Sequence, residues 1–146
     1  MRRDLVVAFM AGVMLGGCTS AKLDQPPRIR YGEEACHACQ MLISEARFAA
    51  ALTTTRGEAQ HFDEIGCLLY ALAQQTETPA SVWVHDYQTD AWLDAASAFF
   101  VRSRELTTPM GGGIVAVASE EAATRLSRDA HGQVVRFDQL LKGGTS

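Results

Sequence analysis

The chain has 146 residues, of which 47% are hydrophobic and 21% are charged. This length and apolar content suit one compact domain with its own core and do not require a second domain. The formal net charge is -4 and no segment concentrates Lys and Arg residues, so the sequence lacks the basic surface that a nucleic-acid-binding protein needs.

Residues 1–17 have the pattern of a secretory signal peptide. A basic start, MRRD, precedes an uncharged apolar run that ends in small residues before Cys18. The run is shorter than the roughly 20 apolar residues of a membrane-spanning helix. Residues 15–18 resemble a bacterial lipobox, so we expect Cys18 to be lipidated and to hold the chain on the periplasmic face of a bacterial membrane. Thr19, which stands where an inner-membrane lipoprotein has aspartate, slightly favours the outer membrane.

Residues 18–31 are predicted to form a flexible tether between this anchor and the domain. They are mostly polar and include Pro26 and Pro27, which cannot continue a helix. The folded domain is expected to span residues 32–146. Near its start, the strings RFAAALTTT and AQHFD predict a β-hairpin that turns at Gly57.

The rest of the domain is predicted to alternate between helices and strands. Asp63 is a good N-cap for a helix over 64–75, and Ser119 and Gly132 would begin and end a second helix. The remaining pattern predicts, in chain order, a strand at 81–87, a turn near Asp90, a loop at 107–113, and strands at 114–119 and 134–137. Two strand-helix-strand passages therefore follow one another, which predicts an α+β fold of two small related units.

Three cysteines follow Cys18, and two of them belong to the string CHACQM at 36–41. In an oxidising compartment an odd number of thiols indicates that at least one is protected, reactive or bound to metal. Thiolate and thioether ligands together select Cu(I), whereas a structural zinc site usually completes four ligands from Cys and His. Cys39 and Met41 share a face only if the segment is not helical; a helix would instead pair Cys36 with Cys39 and favour a redox dithiol.

Several longer strings resemble the NosL family, the copper-binding lipoproteins that accompany nitrous-oxide reductase. The strings are, in family order, CHACQMLI, FDEIGCLLYAL, AWLDA, FFVRS, TPMGGGIVA and HGQVVRFDQL. The resemblance covers roughly residues 32 to 141, which follow the lipobox in the sequence. It implies a Cu(I) chaperone that serves assembly of the copper-sulfide centre of the reductase, on an α+β fold similar to the core of organomercurial lyase.

The resemblance also implies a ligand set. The family's C-x-x-C-G-M stretch places its cysteine and methionine on Cys39 and Met41, and its TPMG loop places a methionine on Met110. The chain departs from the family at Gln40, where a glycine is usual. Because glycine tolerates positive φ, this departure affects the expected conformation of the loop.

Other residues keep more than one interpretation. Cys36 is open between a metal ligand, a disulfide partner of Cys39 and a buried thiol, and His37 between a nitrogen ligand and a solvated side chain. Cys67 lies on the side of the predicted helix away from its apolar stripe, so it is not an obvious core residue. It could equally contact a second layer of structure, and a ligand role is the minority interpretation. His85, on a strand face with aromatic neighbours, is expected to be a structural histidine.

No residues resemble a nucleophile with its base, so we expect no enzyme. Asp63, Asp86 and Asp94 are explained as cap and turn residues. Three rivals to the main hypothesis remain: a thiol-disulfide protein that uses Cys36 and Cys39, a lipid-anchored interaction module with incidental cysteines, and copper delivery to a different cuproprotein.

Overall fold

The structure, a computed structural model, describes residues 23–143. The predicted signal peptide, Cys18 and the first part of the tether lie outside these residues, as do residues 144–146. Within the described part of the chain, no helix has the length and apolar character needed to cross a membrane.

The first half of the domain forms a four-stranded antiparallel sheet with one helix. Its elements are β1 (Ala50–Thr53), β2 (Ala59–Phe62), α1 (Ile65–Gln74), β3 (Ser81–His85) and β4 (Trp92–Asp94). The strands lie in the order β2-β1-β3-β4. The predicted hairpin joins β1 and β2, and Gly57 has a φ of 84° in its turn, a conformation that few other residues adopt readily.

The second half repeats this arrangement. Its elements are β5 (Phe99–Arg102), β6 (Ile114–Val117), α2 (Glu120–Asp129) and β7 (Gln133–Arg136), and the strand order β6-β5-β7 reproduces the order β2-β1-β3. Both halves are therefore ββαβ units with antiparallel sheets. This confirms the predicted α+β fold of two related units. A short helix, α3 (Phe137–Gly143), follows β7 where the sequence pattern predicted only the strand.

Strand β6 is buried on both faces, which explains its unbroken apolar sequence IVAV. Ile114 and Ala116 join the main core, which also contains residues of β1, β2, β3 and α1. Val115 and Val117 face the other way and pack with Ala122 and Ala123 of α2. The second sheet is thus the layer between α2 and the first unit.

A buried aspartate links the two units at the end of β3. Asp86 accepts hydrogen bonds from the backbone N–H groups of Gln88 and Thr89 through Oδ1, and from that of Ala118 through Oδ2 at 2.9 Å. The expected turn role of Asp86 is correct, but the carboxylate also holds the residue after β6. Because an unpaired buried carboxylate would be costly, these three donors fix the relative position of β3 and β6.

The caps of the two main helices differ from each other. The Ser119 hydroxyl accepts the N–H of Ala122, as predicted for the N-cap of α2. The prediction that Asp63 caps α1 is wrong: Glu64 occupies the N-cap position and makes no side-chain cap. Asp63 is buried, and its backbone N–H donates to the sulfur of Cys36 instead. Local sequence favoured a short acidic cap, but neither Asp63 nor Glu64 caps the helix with its side chain, and the Glu64 carboxylate accepts a hydrogen bond from the distant Met110 N–H.

Packing begins earlier than the predicted domain boundary at residue 32. Ile29 belongs to the main core, and the Tyr31 hydroxyl lies 2.7 Å from Nε2 of His85. The last residues of the predicted tether are therefore part of the folded domain.

Both ring nitrogens of His85 have hydrogen-bond partners. Nδ1 lies 2.8 Å from the carbonyl oxygen of Asp90, and the ring packs on Trp92 with centroids 3.7 Å apart. A carbonyl oxygen only accepts, so Nδ1 carries the proton and Nε2 accepts from Tyr31. Burial lowers the pKa of His85 and raises the pKa of Tyr31 to about 12. His85 is a structural histidine, as its strand position predicted.

We expect the protein to lose stability as the pH falls below about 6.5, the ordinary histidine pKa. The unfolded chain then binds a proton at His85 that the folded chain, with its lowered pKa, does not bind, so acid favours unfolding. Urea midpoints measured at about pH 7.5 and about pH 5.5 check this sign. The His85→Gln variant should show a smaller difference between the two midpoints; an unchanged difference would assign the acid sensitivity to other groups.

Candidate metal centre

The string CHACQM forms a tight turn and not a helix. Ala35 and Leu42 pair as an isolated antiparallel bridge, Cys36 N–H donates to the Met41 carbonyl at 2.8 Å, and Gln40 N–H donates to the Cys36 carbonyl at 3.0 Å. Because the segment is not helical, it meets the condition that the sequence analysis set for Cys39 and Met41 to share a face. It also brings Cys36 and Cys39 together, a result that the sequence analysis expected only from a helix.

Gln40 adopts the left-handed conformation that the family's glycine would accept easily. Its φ is 63°, which is strained for a residue with a side chain. Its amide Nε2 donates to the carbonyl oxygens of Cys36 and His37, both at 3.2 Å. These two hydrogen bonds within the turn offset part of the strain. Gln40 therefore keeps the positive φ even though it stands where the family usually has glycine.

Three sulfur atoms converge at this turn. Cys36 and Cys39 come from the turn itself and Cys67 from the first turns of α1, and their Sγ atoms all lie within 4.8 Å of one another. Cys36 is fully buried, Cys67 is 8% exposed and Cys39 is partly exposed. Among residues 23–143 this is the one group of three Cys, His, Asp or Glu side chains close enough to share an ion.

Cys67 is buried by contacts from a second layer of structure, an outcome that its position on the predicted helix left open. The side of α1 opposite the apolar stripe is covered by the CHACQM turn and by the loop at 107–113, so Cys67 also packs in the main core. These contacts come from distant parts of the chain. Helical periodicity alone could not reveal them.

Hydrogen bonds in the cluster favour one thiolate. The Cys67 thiol and the backbone N–H groups of Cys39, Asp63 and Ala38 donate to Cys36 and hold its pKa far below its ordinary value, although burial opposes the shift. The pKa of Cys67 is raised, chiefly because its proton is shared with Cys36. Burial raises the pKa of Cys39. The arrangement is that of one anionic sulfur supported by two neutral thiols.

An open pocket of about 420 Å³ lies over the cluster. It is lined by Ala38, Cys39, Glu64, Gly66, Cys67, Tyr70, Met110 and Gly112. Met110, on the loop between β5 and β6, is 50% exposed, and the neighbouring Tyr70 is also exposed. The second unit therefore supplies one thioether to a pocket whose thiols come from the first unit.

The other predicted site residues lie elsewhere. Met41 is 55% exposed and does not line this pocket. His37 is exposed, its backbone N–H donates to the His61 carbonyl at 2.8 Å, and its ring meets Phe62 edge-on. The sequence analysis assigned Cys39, Met41 and Met110 as ligands and left Cys36, Cys67 and His37 open. It gave Glu64 and Tyr70 no role at the site.

Comparison with known proteins agrees with this geometry. The NosL family profile matches residues 30–143. The chain is 23% identical over 148 aligned residues to the copper-binding lipoprotein NosL of Stutzerimonas stutzeri, covering 92% of this chain and 78% of that protein. It is also similar to the crystal structure of the copper chaperone NosL from Shewanella denitrificans, with a TM-score of 0.69, 25% identity, and coverage of 79% of this chain and 94% of that one. The relatives are named for copper binding and not for an enzymatic reaction. The match over most of its length means that this chain belongs to the NosL family.

Proposed function

We propose that this chain carries Cu(I) on its cysteine cluster and delivers it to a cuproprotein outside the cytoplasm. The observation that carries the proposal is the convergence of three sulfur atoms beneath a pocket that Met110 also lines. Thiolate and thioether are soft ligands, and soft ligands select Cu(I) over the harder divalent cations. The copper named in both relatives supports the same metal.

The proposed ligands have graded roles. Cys39 and Met110 both line the open pocket, so these two would complete the side of the ion nearest to solvent. Cys36 and Cys67 would hold the ion from the buried side. Met41, which the family resemblance assigns as a ligand, would act as an outer thioether, since its side chain is exposed beside Cys39. His37 has no place in this set.

A metal site that is open on one side suits a copper carrier better than a fully enclosed site. A carrier must exclude other ligands while it holds the ion and then admit a ligand of the acceptor, so one side has to remain reachable. The pocket is open toward solvent beside Tyr70 and Met110. Thioether needs no deprotonation, so Met110 can leave and return without any change of charge at the site.

The proposed acceptor is the machinery that assembles the copper-sulfide centre of nitrous-oxide reductase, and a different cuproprotein is the alternative. The family membership supports the first. Lipidation at Cys18 would hold the domain on the periplasmic face of the membrane, with the outer membrane slightly favoured, and would raise its effective concentration near a membrane-bound acceptor.

Anaerobic titration with Cu(I) against a chromophoric chelator tests the site. The full chain in detergent should carry Cys18→Ala, so that this fourth thiol contributes nothing. We expect tight binding that Cys39→Ser weakens by more than about 100-fold, Met110→Leu by about 10-fold, and Met41→Leu by less than Met110→Leu. The two methionine variants are a matched pair, because both remove an exposed thioether and only one of them lines the pocket.

Two outcomes of this titration would contradict the proposed site. Failure of the fully reduced protein to compete with the chelator would remove the copper proposal. A larger loss for Met41→Leu than for Met110→Leu would move the outer ligand from the pocket to the turn.

Alkylation of Cys39 provides a second test, which does not depend on a chelator. Cys39 is the most accessible of Cys36, Cys39 and Cys67, so iodoacetamide should modify it first in the metal-free protein. Bound Cu(I) should protect it, because the sulfur lone pair is then occupied. Peptide mass spectrometry measures the protection, and equal labelling with and without Cu(I) would show that Cys39 is not a ligand.

The geometry also favours one rival, a thiol-disulfide protein. Three sulfur atoms within 4.8 Å of one another can form a disulfide after modest movement. That function predicts a reversible two-electron couple in which Met110 has no part. A redox titration of wild type and Met110→Leu separates the two functions. A thiol-disulfide protein should give the same reversible couple in both proteins, whereas a copper carrier should bind Cu(I) more weakly when the Met110 thioether is removed.

A further inference from the structure

Glu64 is a buried carboxylate whose position the proposed function does not yet explain. It is 3% exposed, and none of the ion pairs found within residues 23–143 includes it. It stands at the N-cap of α1 without capping that helix. Instead its Oε2 accepts the backbone N–H of Met110 at 2.9 Å. Burial of a carboxylate without a cation is costly, so the contact across the two units needs a reason.

Two glycines leave room for this carboxylate. A Cβ atom added to Gly66 of α1 or to Gly112 of the loop would overlap Oε1 of Glu64. One glycine belongs to each unit, and the carboxylate fills the space between them. Any larger residue at either position would displace it.

We propose that Glu64 is a positioning residue that holds the thioether of Met110 over the cysteine cluster. Glu64 is the N-cap residue of α1, three positions before Cys67, and its carboxylate accepts a hydrogen bond from the backbone N–H of the residue that carries the thioether. One hydrogen bond therefore fixes the spacing between the thiols of the first unit and the thioether of the second. This inference rests on the proposed function, because Met110 has to be a ligand for its placement to matter to copper.

The chemistry favours positioning over direct ligation. A carboxylate oxygen is a hard ligand and suits Mg²⁺ or Ca²⁺ better than Cu(I). Groups that hydrogen-bond to a ligand residue orient the ligand in many metal sites, and their removal typically costs about 10- to 100-fold in metal affinity.

A double-mutant cycle on the full chain, in the Cys18→Ala background and in detergent, tests the inference. Glu64→Ala should weaken Cu(I) binding by about 10-fold, and it should cause no further loss when Met110→Leu is already present. Glu64→Gln keeps an acceptor oxygen of the same reach, so it should retain part of the affinity. Glu77→Ala removes an exposed glutamate far from the pocket lining and should have no effect.

A metal-free readout separates this inference from the proposed function. In the apo protein the Met110 amide should exchange its hydrogen slowly, and Glu64→Ala should accelerate that exchange while the amides of β6 stay protected. If the wild type fails to bind Cu(I), the proposed function fails and the exchange result still decides whether Glu64 holds the loop. If the wild type binds and Glu64→Ala is neutral, or is equally harmful in the Met110→Leu background, the positioning role is wrong.

Gly112→Ala supplies a second variant in case Glu64→Ala does not fold. The added methyl displaces the carboxylate without removing it, so it should reproduce both the weaker Cu(I) binding and the faster exchange at Met110. Wild-type values for both measurements in folded Gly112→Ala would overturn the inference.

Discussion

The packing of α1 between the two sheets is the constraint on which the site depends. Its buried face contributes Leu68 and Leu69 to a core shared with β1, β2 and β3, and the same core includes Ile114 and Ala116 of β6. The helix cannot rotate or slide without opening this core. Glu64 is the N-cap of α1 and Cys67 lies in its first turn. The packing of this helix therefore sets the distance between the Cys67 thiol and the loop of the second unit.

The two ββαβ units have diverged at equivalent connections. The first unit closes its hairpin with the short segment 54–58, whereas the second joins β5 to β6 through the longer segment 103–113 that contains Met110. The helices differ too: α1 contributes five buried residues to the main core, while α2 carries acidic residues in its first turn and covers the second sheet. The repeated ββαβ topology thus supplies the scaffold, and the longer loop places Met110 of the second unit in a pocket that is lined by cysteines of the first.

The features predicted correctly are those that local sequence determines. Strand β6 is an uninterrupted β-branched and apolar run, and Ser119 caps α2 through a bond to its own helix. The features that local sequence did not determine involve distant contacts. Asp63 is a residue type that often caps helices, yet its backbone N–H donates to Cys36. Cys67 lies away from the apolar stripe of its helix, and the turn at 36–41 covers it. The candidate sulfur ligands could be listed from the sequence, but the approach of the turn at 36–41 to α1, and of Met110 to the pocket, depends on tertiary packing.

Burial divides the cluster into a holding side and an exchanging side. Cys36 has no contact with solvent, so a donor from another protein cannot reach it without local unfolding, and Cys67, which also lines the pocket, is only 8% exposed. Cys39 and Met110 face the pocket, where an incoming sulfur could replace one of them while the buried thiols still hold the ion. In the proposed carrier, transfer would therefore proceed by stepwise replacement from the solvent side. The strength of the outer contacts, and not that of the buried ones, would set how readily copper leaves, since ligand exchange begins at the contact that opens first.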